Sequence, residues 1–230
     1  MKYNLLVFDE IDSTNSEAIR MAKNCPSENY LILANNQTKS RGRNNKTWHS
    51  NPGNLHSSIL LKHNLNLSYL PQISFVTAIA VYKTICSLIG STSSFIKFKW
   101  PNDILINDKK VSGILLEAIN INNYHYLIIG IGINLKQSPI NIKQLTTNLA
   151  DENIEAKDSK EMLNILMVNF EKSFNQWQEK GFGKIREFWL KRAYKLGENI
   201  TVNDGSKRIT GIFKDIDQVG AIRLQLDDGK

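Results

Sequence analysis

Residues Gln37–Leu55 read Q-T-K-S-R-G-R-N-N-K-T-W-H-S-N-P-G-N-L. The stretch places Arg41, Arg43 and Lys46 within six positions and holds no acidic residue. It has no apolar period and is long for a connector. Loops of that kind inside a compact domain are usually functional or disordered. Two arginines around a glycine can fold over a phosphate, because each guanidinium presents a planar fork of donors. Short basic runs are also common as solvated surface, and R-G-R alone favours that plainer reading. Trp48 counts against it, since a large aromatic anchors the far end of the loop.

The flanks of this loop set the fold class. Upstream, Tyr30–Ala34 is apolar and β-branched enough for a strand, and Leu5–Phe8 gives another. Between them, D-S-T-N-S-E starts a helix that runs to about Lys23. Ser13 or Thr14 is positioned as its cap, and Glu17 lies three residues after Thr14, as a capping box requires. Downstream, Leu55–Leu61 alternates as a strand leaving the loop, and Asn64–Ser68 is a polar break. Tyr69–Leu88 then carries apolar residues at helical spacing and stops at Gly90. Phe95–Lys99 alternates as a strand ended by Pro101. Ile104–Ile106 and Val111–Glu117 flank Asn107-Asp108-Lys109-Lys110, a hairpin signal. Tyr124–Leu135 is a further strand with Gly130 and Gly132 inside it, a sign of close approach by a ligand or another backbone. Strands that are mostly adjacent and hairpin-linked, with long helices between sets, make an α+β fold on a mixed, mostly antiparallel sheet.

Ser138–Asp151 is a polar connection, with Leu145 and Leu149 spaced as one helical turn. Lys160–Lys180 is a helix whose stripe is Met162, Leu163, Leu166, Met167, Phe170, Phe174 and Trp177, broken at Gly181 and Gly183. A second helix follows over Lys184–Tyr194. After Leu196 the pattern changes to short strands (I-T-V, R-I-T-G-I-F-K-D-I, A-I-R-L-Q-L) separated by N-D-G-S, D-Q-V-G and D-D-G turns. The expected organisation is a main domain at 1–195 and a small all-β module at 196–230. The module is too short to be stable alone and is expected to pack on the main domain.

The 230 residues are 41% hydrophobic and 22% charged, enough for a real core in one good-sized domain with a small appendage. A net charge of +7 points to an anionic partner. The lysines are spread along the whole chain, however, and charge alone does not indicate nucleic acid. Cys25 and Cys86 stand in no metal-ligand spacing, which suits a reducing cytosol. The N-terminus is too short in apolar residues and too acidic for a signal peptide, and the apolar run Tyr126–Ile133 is far below the roughly 18 residues of a membrane span. The expectation is a cytoplasmic protein. His49, His56, His63 and His125 have no metal spacing. There is no G-x-S-x-G, no Walker A loop and no dinucleotide fingerprint. What remains is a cationic site without an evident nucleophile, which works by positioning and charge stabilisation.

Five blocks occur in order along the chain: S-T-N at Ser13–Asn15, Q-T-x-S-R-G-R with W-x-S-x-P-G-N-L, K-W-P-N-D-I at Lys99–Ile104, S-G-I-L-L-E at Ser112–Glu117, and G-I-G-I-N-L at Gly130–Leu135. Together they resemble the biotin protein ligases. The resemblance implies a class II synthetase-like catalytic domain followed by a small SH3-like C-terminal domain, which in the family often has one strand more than is read here. It implies ATP and Mg²⁺, with the metal held mainly through the ATP phosphates. Biotin is first activated to biotinyl-5′-AMP with release of pyrophosphate, then passed to a specific lysine of a biotin carboxyl carrier domain.

Residue roles follow from the resemblance, position by position. Ser13, Thr14, Asn15 and Gln37 correspond to contacts to the biotin head. Arg41, Gly42 and Arg43 correspond to a loop that covers the adenylate and also touches biotin. Lys99 corresponds to the lysine that holds the biotin carboxylate and the α-phosphate, so Lys99, Arg41 and Arg43 are the expected catalytic cations. Trp48 is expected beside adenine, and Lys46, Asn102, Gly113 and Asn134 on the nucleotide side. Asp103 is expected to be structural or close to the acceptor lysine. Two departures stand out: Ser40 replaces the usual first glycine of G-R-G-R, and Lys46 stands where arginine is frequent, which keeps charge but loses the bidentate fork. The helix-turn-helix of some family members has no counterpart in these residues, so no sequence-specific DNA binding is expected. Edge strands of such sheets often pair, which admits a homodimer. Two other readings stay open: a lipoate or octanoate ligase or transferase, which shares the fold, and a basic nucleic-acid-binding module. Against the latter, the aromatics fall in helical core stripes and not in an exposed stacking array.

Overall fold

Alternation along the strands divides the molecule into two faces. The computed structural model describes residues 2–63, 67–90, 93–140, 144–203 and 207–226. Seven strands form one sheet: β1 (Tyr3–Ile11), β2 (Asn29–Gln37), β3 (Leu55–His63), β4 (Ile96–Lys99), β5 (Asp103–Ile106), β6 (Lys109–Ile121) and β7 (Tyr124–Ile133), in the order β1-β2-β3-β7-β6-β5-β4. Only β1 and β2 run parallel; the other neighbours are antiparallel. This is the expected α+β arrangement, with strands longer than their apolar runs. A strand pairs along its whole backbone, whereas an apolar run marks only its buried part.

On one face, odd-numbered residues of β7 (Leu127, Ile129, Ile131, Ile133) pack under α2 (Leu70–Ile89) and α3 (Ser159–Lys180). On α2 the apolar residues are buried almost all round, and the left-handed Gly90 (φ 68°) ends the helix. By length and composition alone α2 could cross a membrane, but here it is a core helix, covered by α3, by the helix that follows it and by the sheet. The α3 stripe read from sequence is wholly buried. On the other face α1 (Thr14–Ala22) lies over β2, β3 and β7, with Ala18 and Ala22 against Ile32, Leu60, Tyr126 and Ile128.

Several local expectations change. Ser13 caps α1, its Oγ accepting from the Ser16 N–H at 3.4 Å. Glu17 is then one residue too far along to close a capping box and instead accepts from Arg20 at 2.7 Å. Leu145 and Leu149 share no helical turn. Leu145 is exposed and Leu149 buried, because residues around Thr146 run extended beside the start of β6, with Lys110 N–H donating to Leu145 O at 2.9 Å. The β5–β6 hairpin turns at Asn107 and Asp108, both left-handed (φ 48° and 64°), as a type I′ turn requires. The polar break at Asn64–Ser68 and the N-D-G-S turn lie partly outside the described residues, and the D-D-G turn wholly so.

Helix α4 (Phe182–Leu190) leads to a three-stranded antiparallel sheet, β8 (Asn199–Asn203), β9 (Arg208–Ile216) and β10 (Ile222–Gln225). An aromatic cluster joins it to the main body. Trp189 of α4 stacks on Phe98 of β4 (5.7 Å, 12°) and meets Phe75 of α2 and Phe213 of β9 edge-on. The turn before β10 docks through its backbone: Trp100 Nε1 donates to Gly220 O at 3.1 Å, and Gln72 Nε2 to Gln218 O at 2.7 Å. Gly220 has φ +91°, and a Cβ there would lie 2.6 Å from the Phe75 ring. Gly220→Ala therefore combines left-handed backbone strain with overpacking. It should cost about 2 kcal/mol and lower the melting temperature by roughly 5 °C by calorimetry. An unchanged melting temperature would mean that this turn is not docked as described.

Candidate active site

The cleft begins where β7 stops filling its own face. Its even-numbered residues run Tyr126, Ile128, Gly130, Gly132: two large side chains under α1, then two glycines. The register pairs Gly132 with Gly113 of β6 and His56 of β3, and Gly130 with Leu115 and Ser58. A Cβ at Gly130 would sit 2.3 Å from Asn15 Oδ1, and one at Gly132 would sit 2.3 Å from the Trp48 ring. The missing side chains admit the N-terminus of α1 at one end and the indole of Trp48 at the other.

At the α1 end the groups are polar and hydrogen-bonded to each other. Gln37 Oε1 accepts from Thr14 N–H (2.8 Å) and Thr14 Oγ1 (3.1 Å), while Gln37 Nε2 donates to Ser50 Oγ (2.9 Å). Ser58 Oγ lies 2.7 Å from Thr14 Oγ1 and 2.5 Å from Asn15 Oδ1. Ser13, Thr14, Asn15 and Gln37 all line the cleft. Ser58, on β3, was not legible as their support.

The loop supplies charge. Arg41 bridges to Thr47 as an isolated β pair, Gly42 N–H donates to Lys46 O at 2.7 Å, and Arg43–Asn45 makes one short turn. This places Arg41, Gly42, Arg43 and Lys46 on the cleft. A fourth cation, Lys110, enters from the start of β6, with its Nζ 2.7 Å from Asp103 Oδ1 and 5.3 Å from the Trp48 ring centre. Among the described lining residues Asp103 is the single carboxylate. Gln144 Nε2 holds its other oxygen at 3.1 Å.

Lys99 is not in this cleft. It lines an adjoining depression with Leu105, Asp108, Leu145 and Tyr194, and Gln144 borders both. The cause is topological: β4 is the outermost strand, two steps from β6, which is about 10 Å at normal strand spacing. The lysine that meets the cleft is Lys110, which by sequence reads only as a turn residue. Asn102, Gly113 and Asn134 do line the cleft. Asn102 Nδ2 donates to Ile114 O (2.6 Å) and Asn134 Nδ2 to Thr147 O (3.0 Å), so both also hold backbone in place. Asn134 Oδ1 is buried with no partner among the described residues.

Trp48 lies in the slot formed by Gly113 and Gly132, and its Nε1 donates to His56 Nδ1 at 3.4 Å. His56 Nε2 faces Asn51 O at 3.2 Å. That arrangement requires a neutral ring protonated on Nε2. Burial pushes its pKa below the ordinary histidine value, and the Asn51 carbonyl offsets part of this. His56 and His49 border the cleft, although neither sits in a metal-ligand cluster. No group of three or more His, Cys, Asp or Glu side chains suited to a metal is present among the described residues.

A profile of the biotin/lipoate A/B protein ligase family matches residues 7–134, and one of the biotin protein ligase C-terminal domain matches residues 195–230. The chain is 34% identical to a biotin–[acetyl-CoA-carboxylase] ligase of Paracoccus denitrificans, over 95% of this chain and 93% of that protein. It is 32% identical to the bifunctional ligase/repressor BirA of Bacillus subtilis, over 100% of this chain and 71% of that protein. Among solved structures, biotin protein ligase from Aquifex aeolicus in complex with biotin and ATP superposes with a TM-score of 0.84 at 28% identity, covering 98% of this chain and 93% of that one. With its blocks gathered around one cleft and both profiles matched, this chain belongs to the biotin/lipoate A/B protein ligase family, among the biotin protein ligases.

Proposed function

We propose that this chain is an ATP-dependent biotin protein ligase. A carboxylate oxygen of biotin attacks the α-phosphorus of ATP, the bridging P–O bond to the β-phosphate breaks, and pyrophosphate leaves. The ε-amino nitrogen of an acceptor lysine then attacks the acyl carbon of biotinyl-5′-AMP. The C–O bond to AMP breaks and an amide forms. The observation that carries this reading is the cleft itself, which joins an apolar-backed polar end at α1 to a cationic end lined by Arg43, Lys46 and Lys110, with Arg41 tied to Glu117 beside them.

A carboxylate approaching a polyphosphate meets anion–anion repulsion, and fixed cations in a partly enclosed site lower that barrier. The hydroxyl and amide groups at Thr14, Asn15 and Gln37, backed by Ser58, suit a ureido ring, which both donates and accepts. Lys110, aimed by Asp103, is the cation best placed between the two ends; Lys99 is too far out. Arg43 and Lys46 sit on the loop that can shield an acyl-adenylate from water. Mg²⁺ would arrive with the triphosphate: the unpartnered Asn134 Oδ1, and Asp103 if it exchanged a present partner, would offer oxygen on the nucleotide side, and Mg²⁺ commonly binds through one or two such ligands plus phosphates. It would neutralise phosphate charge. The acceptor is a carrier domain of a biotin-dependent carboxylase, the compartment the cytoplasm; the Paracoccus relative's name and the two free cysteines support these readings. A homodimer stays a proposal of the same kind.

Titration with biotin, then with biotin plus ATP and Mg²⁺, tests the reaction. Heat on adding biotin and pyrophosphate on adding ATP are expected; binding of lipoate or octanoate in place of biotin would move the assignment to the related acyl ligases.

The two lysines separate cleanly in the same assay. Lys110→Gln should lower the rate of biotin-dependent pyrophosphate release by about 100-fold, the scale of one removed charge-stabilising donor. Lys99→Gln should stay within about threefold of wild type. Equal losses would refute the assignment to Lys110.

His56 gives a pH dependence. Its folded pKa lies below the unfolded value, so between the two the unfolded chain binds more protons. Stability from this group is complete above the ordinary value of 6.5 and falls as pH drops below it. The melting temperature should therefore decline more between about pH 7.5 and 5.5 in wild type than in His56→Gln. Parallel declines would show that His56 does not titrate across folding.

A further inference from the structure

Glu117 stands on the α1-facing side of β6, opposite Ile128 and between Leu115 and Ile119. It does not line the cleft, yet it touches residues from two separate elements that do. Arg41 Nη2 lies 2.9 Å from each of its carboxylate oxygens, and Asn15 Nδ2 donates to Oε2 at 2.7 Å. Arg41 also donates through Nη1 to Ser16 Oγ at 2.7 Å. Both partners of the ion pair are about a quarter exposed (27% each), less than in the Arg20–Asp12 and Lys184–Glu187 pairs.

The structure assigns to Glu117 the part of a positioning residue, one that fastens the basic loop and the α1 polar end to the same point on the sheet. This deepens the ligase reading and rests on it. Charge and reach both lead there. The Arg41 guanidinium is already engaged by a carboxylate and a hydroxyl, so it serves to hold the loop's first turn down and not to grip phosphate. Arg43 and Lys46, with no carboxylate in ion-pair contact among the described residues, remain to face the anion. A loop fixed at Arg41 keeps these two cations over the cleft, and one released there lets an enclosed adenylate escape. Because Asn15 shares the same carboxylate, order at the head-group end and order in the loop are coupled through Glu117. The plainer alternative is a surface ion pair of little consequence. It does not account for hydrogen bonds that converge from the loop and the start of α1 on a single strand position.

The test uses Glu117→Gln, Arg41→Gln and the double variant of the full chain. The amide introduced by Glu117→Gln keeps an acceptor for Asn15 and loses the charge that holds Arg41. Dissociation of preformed biotinyl-5′-AMP should become about tenfold faster in Glu117→Gln, the scale of one lost charge-assisted bond, with the melting temperature nearly unchanged. The double variant should be no faster than Arg41→Gln alone, because both changes remove one interaction. Arg41→Lys keeps charge but loses the three-point reach; it should also speed dissociation and leaves β6 untouched should Glu117→Gln unfold. An unchanged dissociation rate in these variants, or strictly additive effects in the double variant, overturns the positioning part while wild-type pyrophosphate release still supports the ligase. Wild type that forms no adenylate overturns the ligase reading, and this inference with it.

Discussion

On β7 the α1-facing positions run from Tyr126 and Ile128 to Gly130 and Gly132, and that change in side-chain volume is the constraint on which the cleft depends. The opposite face of the same strand carries Leu127 and three isoleucines and is locked under α2 and α3. The strand therefore cannot shift by one residue without turning those four side chains out of the core. Rigidity on one face fixes emptiness on the other. Asn15 and Trp48 take up part of that space, with contacts that no Cβ would permit.

Charge is then distributed so that the cleft is cationic without being unstable. Four cationic side chains line it, and like charges repel by about 4 kcal/mol at roughly 4 Å when the effective dielectric is that of a protein surface. Lys110 is offset by Asp103 and Arg41 by Glu117, each at normal charge-assisted distance. Only Arg43 and Lys46, both exposed on the loop, have no carboxylate in ion-pair contact among the described residues. The unpaired charge is thereby carried by the loop and the paired charge by the sheet.

The parts of this design that follow from local periodicity were legible. The α3 stripe from Met162 to Trp177, the stop of α2 at Gly90 and the Asn107-Asp108 turn all obey rules of spacing and backbone preference. What was not legible depended on strand order. Lys99 and Lys110 are both lysines at strand ends, and nothing in either local sequence says which strand is outermost; the β5–β4 extension carried Lys99 away. Glu17 failed by one residue, because Ser13 and not Thr14 took the cap. Ser58 and Glu117 were missed for a common reason. Each supports the site through another side chain, so its partner is distant in sequence and invisible until the strands are paired. Asn54 makes the same point: its Oδ1 accepts from the backbone of Leu135, Lys136 and Gln137, so a residue inside the basic-loop block secures the far end of β7.

The W-P-N-D turn is better understood as a junction than as a set of ligands. Trp100 donates to Gly220 of the C-terminal sheet, Pro101 O accepts from Ser74 of α2 at 3.2 Å, and Asn102 exchanges hydrogen bonds with Ile114 of β6. Asp103, the next residue, is thus aimed by three neighbours before it meets Lys110. The distance from Lys110 to Asp103 is one of the few in the cleft that fixes where positive charge sits, and charge stabilisation is sensitive to displacements of an ångström. A small sheet far along the chain is in this way connected to the reacting end through a single indole and a single turn. Hydrogen bonds at Trp100, Pro101 and Asn102 hold the chain just before Asp103 on three sides.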